Sequence, residues 1–540
     1  MGTPKVYSSG PFLGPSLCAI LLPMQPITTS VYSFENLRTG GFLYVDKTAN
    51  ILEFVRPAFG QYFLSRPRRF GKSLLISTLQ CLFEGRKDLS QGLAIENQWD
   101  WSKTYPVLRF DMGSAQADSA EELKSILCGM VRRCASQFEI GLPESENPSV
   151  LFLDLCDRLS KKSPSGKIVI LVDEYDKPLL GALGTPKVTE IKNVLKAFYS
   201  VVKTMEGLQR FALLTGVSKF SKVSVFSDLN NLTDLTMDAR AATLLGYTHE
   251  EVRKYFDEGV GDLATANGLT KDEAYERLAT MYDGFRFHFG SPSVFNPVSI
   301  GKCIVSKEYD NYWFETGTPT FLLEILKRRP VNLDNPILTA LDFSVYEAEN
   351  PAIMPLLVQT GYLTIKDCQG NGPDREYRLG FPNQEVSLAF SKSLAKVYTE
   401  LPEGDFPSLL SQLVQALREG DLDEMLETLS CFFANIPSTI TLKQEKYYQT
   451  IFYTVFLLVG ARIQCEIVTN RGRADAAIET AAGVFVFEFK LRGTAAEAIA
   501  QIRAKGYAEK YRASGKKVTL VGVAFDEATR NLGERIVEPL

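Results

Sequence analysis

A chain of 540 residues, 45% hydrophobic and 23% charged with a formal charge of −5, has the balance of a globular protein and the length for two or three domains. Nine cysteines without a CxxC pair and only two histidines, His249 and His288, argue against a zinc centre and suit a reducing, cytoplasmic compartment. No stretch is long and apolar enough to cross a membrane. The apolar patch at 11–23 is broken by prolines, so residues 1–29 read as a flexible extension, with Met24 as an alternative start.

From about residue 30, apolar runs alternate with helical patterns, the mark of an α/β domain. QYFLS (61–65), YPVLRFDM (105–112), KIVILVDEYD (167–176) and RFALLTGVS (210–218) read as strands of a buried parallel sheet, and 72–85 as a helix. Residues 235–330 turn helical and aromatic. The stretch 331–437 reads as a mainly helical connector interrupted by the turn-rich KDCQGNGPDREYRLGFPN. The final unit reads as helix (445–460), three strands (462–469, 474–480, 484–491), helix (495–514) and strand (517–525). These patterns predict domains at 30–330, at 331–437 and at 438–540.

LSRPRRFGKSLL (64–75) ends as a phosphate loop ends. In a strand–loop–helix, Gly71 lets the backbone turn close to an anion, Lys72 reaches the β- and γ-phosphates, and the Ser73 hydroxyl reaches Mg²⁺; Arg69 and Phe70 complete the loop. Arg66 stands where the GxxxxGK[ST] spacing wants its first glycine. It needs more room and a negative φ, and with Arg68 and Arg69 it is a candidate to neutralise phosphate or contact a partner chain. The competing reading of a lone GKS is a plain strand-to-helix turn.

IVILVDEYDKP supplies a second element. Asp173 at a strand exit can hold Mg²⁺ and Glu174 can orient an attacking water. The alternative is that both acids cap a helix opening at Lys177-Pro178. Thr215 and Ser218 end a further strand, where a polar side chain would sense the γ-phosphate.

Together with YVDKTANI, LTGVSKFSKVSVFSDLNNLTDLT, LLGYTHEEV, MYDGFRF, FNPVSI and YWFETGTP, these stretches resemble the bacterial family of predicted AAA-type ATPases whose loop reads RPRRFGKS, over about residues 30–330. The resemblance implies a P-loop AAA-like ATPase domain over 30–330, with a helical lid, that takes ATP and Mg²⁺. By analogy of fold it also implies a homo-oligomeric ring. Arg240 and Arg286 are candidate arginine fingers.

A second constellation lies near the C-terminus. Glu488 and Lys490, two apart on a strand, face one side, and Asp475 on a neighbouring strand can join them. Two carboxylates suit Mg²⁺ or Mn²⁺, and a lysine beside them can orient a water and stabilise a phosphodiester in flight. Gln501 and Tyr507 can add polar contacts, while Phe487 and Phe489 turn to the core. The alternative is a salt-bridged solvent face of an edge strand.

This region resembles the PD-(D/E)XK nuclease superfamily, in the version fused to that ATPase family. The resemblance carries its motif onto Asp475, Glu488 and Lys490, with Glu466 or Glu445 as upstream acid. Where the family pattern often has Tyr-His, this chain has Tyr447-Tyr448. From 441 onward, 15 Lys/Arg against 11 Asp/Glu give +4, and Arg471, Arg473, Arg492, Arg503 and Lys505 flank the site, which suits phosphate contacts and a nucleic-acid partner. The function expected is ATP-regulated, metal-dependent DNA cleavage. The alternative is a nucleotide-dependent switch or DNA-binding protein whose nuclease-like domain does not cut.

Overall fold

The computed structural model describes residues 25–219, 231–313, 336–343, 352–399, 405–435, 476–479, 483–490, 492–509, 515–526 and 531–540, with a few single positions between these ranges. The predicted strand 462–469 and most of the predicted helix 445–460 lie outside the described residues, as do Glu445, Tyr447, Tyr448, Glu466, Arg471, Arg473 and Asp475.

Five parallel strands form the N-terminal sheet in the order β2-β3-β4-β1-β5: β1 Gln61–Ser65, β2 Val107–Asp111, β3 Ile168–Asp173, β4 Gln209–Gly216 and β5 Thr233–Asp234. Ile168 to Val172 are each fully buried, as a parallel strand covered on both faces must be. The order brings the carboxyl ends of β1, β4 and β3 side by side, where open α/β sheets bind ligands. Leu64 pairs with Thr215 and Val172 with Leu214, so the polar exits of the three strands fall at one level. Two-residue β5, pairing with Tyr62 and Phe63, escaped the sequence reading because it has no apolar run.

Helices His249–Ala266, Lys271–Tyr282 and Pro297–Ser306 follow and share a core of Val252, Phe256, Leu263, Leu278 and Ile300. In the stretch expected to be a turn-rich interruption, KDCQ and EYRLG are strand. Antiparallel β7 Thr364–Gln369 and β8 Glu376–Gly380 form a hairpin, with β6 Ile337–Thr339 on its outer side. Only 370–375 turns. Among the described residues this stretch also holds the helices Ile353–Gln359, Gln384–Thr399, Asp405–Glu419 and Leu422–Ala434.

Glu385, fully buried near the start of the helix Gln384–Thr399, accepts from Ser299 Oγ (2.8 Å) and from the backbone N–H groups of Tyr312 (2.6 Å) and Trp313 (2.8 Å). Burial pushes its carboxyl from 4.5 up to about 7, with Asp310 adding to the rise and the three donors opposing it. A raised carboxyl binds its proton more tightly folded than unfolded. The stability it contributes is therefore full below pH 4.5 and lost as pH rises through about 7. Glu385→Gln keeps the acceptor and removes the titration. Its melting temperature relative to wild type is expected to rise between about pH 5 and about pH 8. A difference that stays flat over that range would contradict the assignment.

The C-terminal sheet has the order β12-β11-β10-β9: β9 Ala476–Glu479, β10 Val484–Lys490, β11 Val518–Asp526 and β12 Asn531–Pro539. β10 runs parallel to β11 and antiparallel to β9, and the helix Ala495–Lys505 makes the crossover. That helix was expected to run to 514. It stops at Gly506, whose φ of 64° is left-handed. Edge strand β12 was not foreseen, since charges break its apolar alternation.

Candidate functional site

β1 delivers the chain into Arg66–Phe70, and Gly71 (φ 92°) turns it into the helix Lys72–Phe83. Around Gly71 the nearest atom to a hypothetical Cβ is Leu245 Cδ2 at 4.0 Å, so the turn faces open space. The N–H groups of Gly71, Lys72 and Ser73 find no backbone acceptor among the described residues, as expected at a helix head. Lys72 is buried, and its Nζ donates to the carbonyls of Arg66 and Pro67, both at 2.9 Å. Burial pulls its ammonium below the ordinary lysine range, against the opposing pull of Asp173, Glu174 and Asp176. A polyanion in this loop would give that ammonium a stronger partner than two carbonyls.

Arg66 does not join it. It is 1% exposed and donates from Nη1 to Ser65 O and Thr236 O and from Nη2 to Ala241 O, all at 2.8 Å. Its guanidinium carbon lies 4.0 Å from the Phe287 ring centre. Burial pulls its pKa down to about 9, which leaves it charged at neutral pH. The expectation that Arg66 neutralises phosphate or contacts a partner is thus corrected: the guanidinium fastens the root of the loop to the protein. Arg68 is half-buried, and Arg69 is exposed with a left-handed φ of 67°.

Asp173, 1% exposed at the end of β3, accepts at Oδ1 from Thr215 Oγ1 (2.7 Å) and from the Glu174 N–H (3.1 Å). Glu174 sits at φ 52°, a strained conformation for a non-glycine residue and one that turns its side chain out of the strand line. Burial pushes its carboxyl up, opposed by Lys72 and Lys177. The capping alternative fails on geometry. The N-cap of the helix Lys177–Ala182 is Asp176, whose side chain makes no capping bond. Buried Asp176 instead accepts from the N–H groups of Val217 and Ser218 and from the Ser218 hydroxyl, tying the exit of β4 to that of β3. Sequence reading overlooked Asp176, although a third acid within DEYD was a usable signal. Gly216 permits the approach: a Cβ there would meet the Tyr175 ring at 2.5 Å.

Neither finger candidate is placed in this loop. Arg240 pairs with Asp238 at 2.6 Å, and Arg286 donates to Lys366 O at 3.2 Å.

In the C-terminal sheet, Glu488 and Lys490 share the face covered by the helix Ala495–Lys505, along with Val484 and Val486. Phe487 is fully buried on the opposite face, and Phe489 stacks on it at 6.1 Å between centroids. Glu488 is 3% exposed. Lys490 Nζ lies 3.2 Å from Glu488 Oε1, and Gln501 both accepts from Lys490 and donates to Glu488. Tyr507 Oη lies 3.5 Å from Gln501 Nε2. A solvated edge pair does not describe this arrangement, because β10 is an inner strand and its acid is buried. Arg503 of the same helix is committed to Glu538 at 2.7 Å.

Residues 28–226 match the family model described as predicted AAA-ATPase, and residues 443–535 that of the PD-(D/E)XK nuclease superfamily. The sequence is 36% identical over 529 residues to a protein of Azotobacter chroococcum mcd 1 described as "Uncharacterized protein in vnfD 5'region", covering 96% of this chain and 99% of that one. The chain belongs to this family of predicted AAA-type ATPases fused to a PD-(D/E)XK nuclease-superfamily domain.

In this member of the family, the five-stranded parallel sheet is the AAA-like unit and the C-terminal mixed sheet the nuclease-like one. The structure brings Lys72, Asp173, Glu174 and Thr215 to one end of the first sheet, and Glu488, Lys490 and Gln501 together on the second. Among the described residues no three His, Cys, Asp or Glu side chains cluster as a metal site; Asp475 and Glu466, the other acids expected at the nuclease centre, lie outside that set. Among the described residues, no helix is long and apolar enough to cross a membrane.

Proposed function

We propose that the chain binds and hydrolyses ATP at the head of the helix Lys72–Phe83 and cleaves DNA at its C-terminal sheet, the first activity controlling the second. The observation that carries the reading is the convergence of a buried ammonium, a buried strand-end carboxylate and helix-head N–H groups that find no backbone acceptor among the described residues, at the carboxyl edge of a parallel sheet. Domain boundaries near 30–330, 331–437 and 438–540 go with this reading.

The donor set suits the groups concerned. Ser73 and Asp173 would hold Mg²⁺, with Thr215 fixing the Asp173 carboxylate; the metal's chemistry is to neutralise charge on the phosphates. Lys72 would leave its loop carbonyls for the β- and γ-phosphates, with Arg69, Phe70 and Gly71 shaping the loop. Glu174, held out of line by its backbone and raised in pKa, would accept the proton of the attacking water. On the second sheet Glu488 and Asp475, with Glu466 upstream, would hold Mg²⁺ or Mn²⁺. Lys490, oriented by Gln501, would place the water against the phosphodiester.

Lys72→Ala is expected to weaken ATP binding to the full chain at least about 100-fold by equilibrium titration, through loss of a charge-assisted contact to phosphate. Equal affinity in variant and wild type would remove the nucleotide site from this loop.

A further inference from the structure

The loop Arg66–Phe70 is held from outside by a part of the chain far away in sequence. Trp313, 7% exposed, donates its indole N–H to the Arg68 carbonyl at 3.1 Å. Its ring packs against Phe285 and Tyr362, at 6.2 and 5.3 Å between centroids. Its own backbone N–H, with that of Tyr312, is gripped by the buried Glu385 carboxylate of the helix Gln384–Thr399. Keeping an acid fully buried is costly, and here it fixes a two-residue turn. What that turn presents is the indole.

A second hold lies one turn away. Gly361 has φ 86°, and a Cβ on it would stand 2.7 Å from the Pro67 ring, so backbone packs directly on the loop. Gln359, two residues earlier, accepts from the N–H of Lys219 (2.8 Å), just past the exit of β4. The turn 359–361 therefore touches both the loop and the segment that follows β4, the strand whose Thr215 holds Asp173.

In a trans peptide the carbonyl and the following N–H point in opposite directions. A carbonyl of Arg68 fixed on Trp313 therefore fixes the direction of the Arg69 N–H. Arg69 is left-handed at φ 67° and Gly71 at 92°, the alternation that gathers successive N–H groups into an anion-binding concavity. Left-handed arginine is intrinsically unfavourable and needs such support.

We infer that Trp313 is a positioning residue for the nucleotide loop, presented by Glu385, and that seating of residues 353–399 on the loop sets its affinity for nucleotide. The inference rests on the reading of the loop as an ATP site. By linkage, ATP tightens the seat as much as the seat tightens ATP, which gives the chain between the two units a way to register occupancy.

The test uses the full chain and two variants, Trp313→Phe, which keeps the packing and loses the N–H, and Gly361→Ala, which pushes a methyl at Pro67. Hydrogen–deuterium exchange over 63–75 is followed without nucleotide, and ATP affinity by titration, with melting temperature as the folding control. Both variants are expected to speed exchange at the loop amides and to weaken ATP about 3- to 10-fold, the scale of one net hydrogen bond. Loop exchange and affinity at wild-type values in both variants would overturn the positioning role. Faster exchange in the variants of a wild type that binds no ATP would instead sink the nucleotide reading while upholding the clamp.

Discussion

Arg66→Gly, which would restore the missing first glycine of the phosphate loop, is expected to destabilise the protein by about 3–5 kcal/mol and to improve nothing. The guanidinium satisfies three backbone carbonyls at 2.8 Å and lies against the Phe287 ring, all at 1% exposure. Removing it leaves Thr236 O and Ala241 O without those charge-assisted donors, opens a void the size of an arginine and frees the root of the loop. Urea denaturation of the variant measures the cost. Unchanged stability with tighter ATP binding would mean that Arg66 only obstructs an ordinary phosphate loop.

Lys490→Ala is expected to cut metal-dependent DNA cleavage by about 10²- to 10³-fold, the scale of losing one preorganised electrostatic group. Lys490 Nζ lies 3.2 Å from the buried Glu488 carboxylate, and Gln501 bonds to both. Its side chain is 22% exposed, so truncation opens little void and the sheet should persist. Circular dichroism beside the cleavage assay separates lost chemistry from lost fold. Cleavage at the wild-type rate by a folded variant would take Lys490 out of the reaction.

What was legible beforehand follows from how each element signals itself. β1, β3 and β4 declare themselves as continuous apolar runs ending in a polar residue, and the GKS tripeptide marks the head of the helix that follows β1. Glu488 and Lys490 are visible because a period of two puts them on one face of an otherwise apolar strand. By contrast, β5 is two residues long and exists only because Tyr62 and Phe63 offer a free edge. In β12 the charged Glu534, Arg535 and Glu538 break any apolar alternation, as on an edge strand, and so the segment resembles a loop.

The burial of Arg66 was unreadable for another reason. Its acceptors at Thr236 and Ala241 come from 170 and 175 residues away, and no local pattern encodes them. Trp313 and Glu385 were missed likewise: their link spans 72 residues, and the Trp313 contact to Arg68 spans 245. Local chemistry announced the two candidate sites. The supports that hold them are tertiary.

The most direct test of an ATP-controlled nuclease is cleavage of supercoiled plasmid and linear DNA with Mg²⁺ or Mn²⁺, with and without ATP, by wild type, Lys72→Ala and Lys490→Ala. The predicted result is cutting that ATP changes in wild type, that Lys72→Ala uncouples from ATP and that Lys490→Ala abolishes. Cutting identical in all three proteins, or none by a wild type that binds ATP, would contradict it.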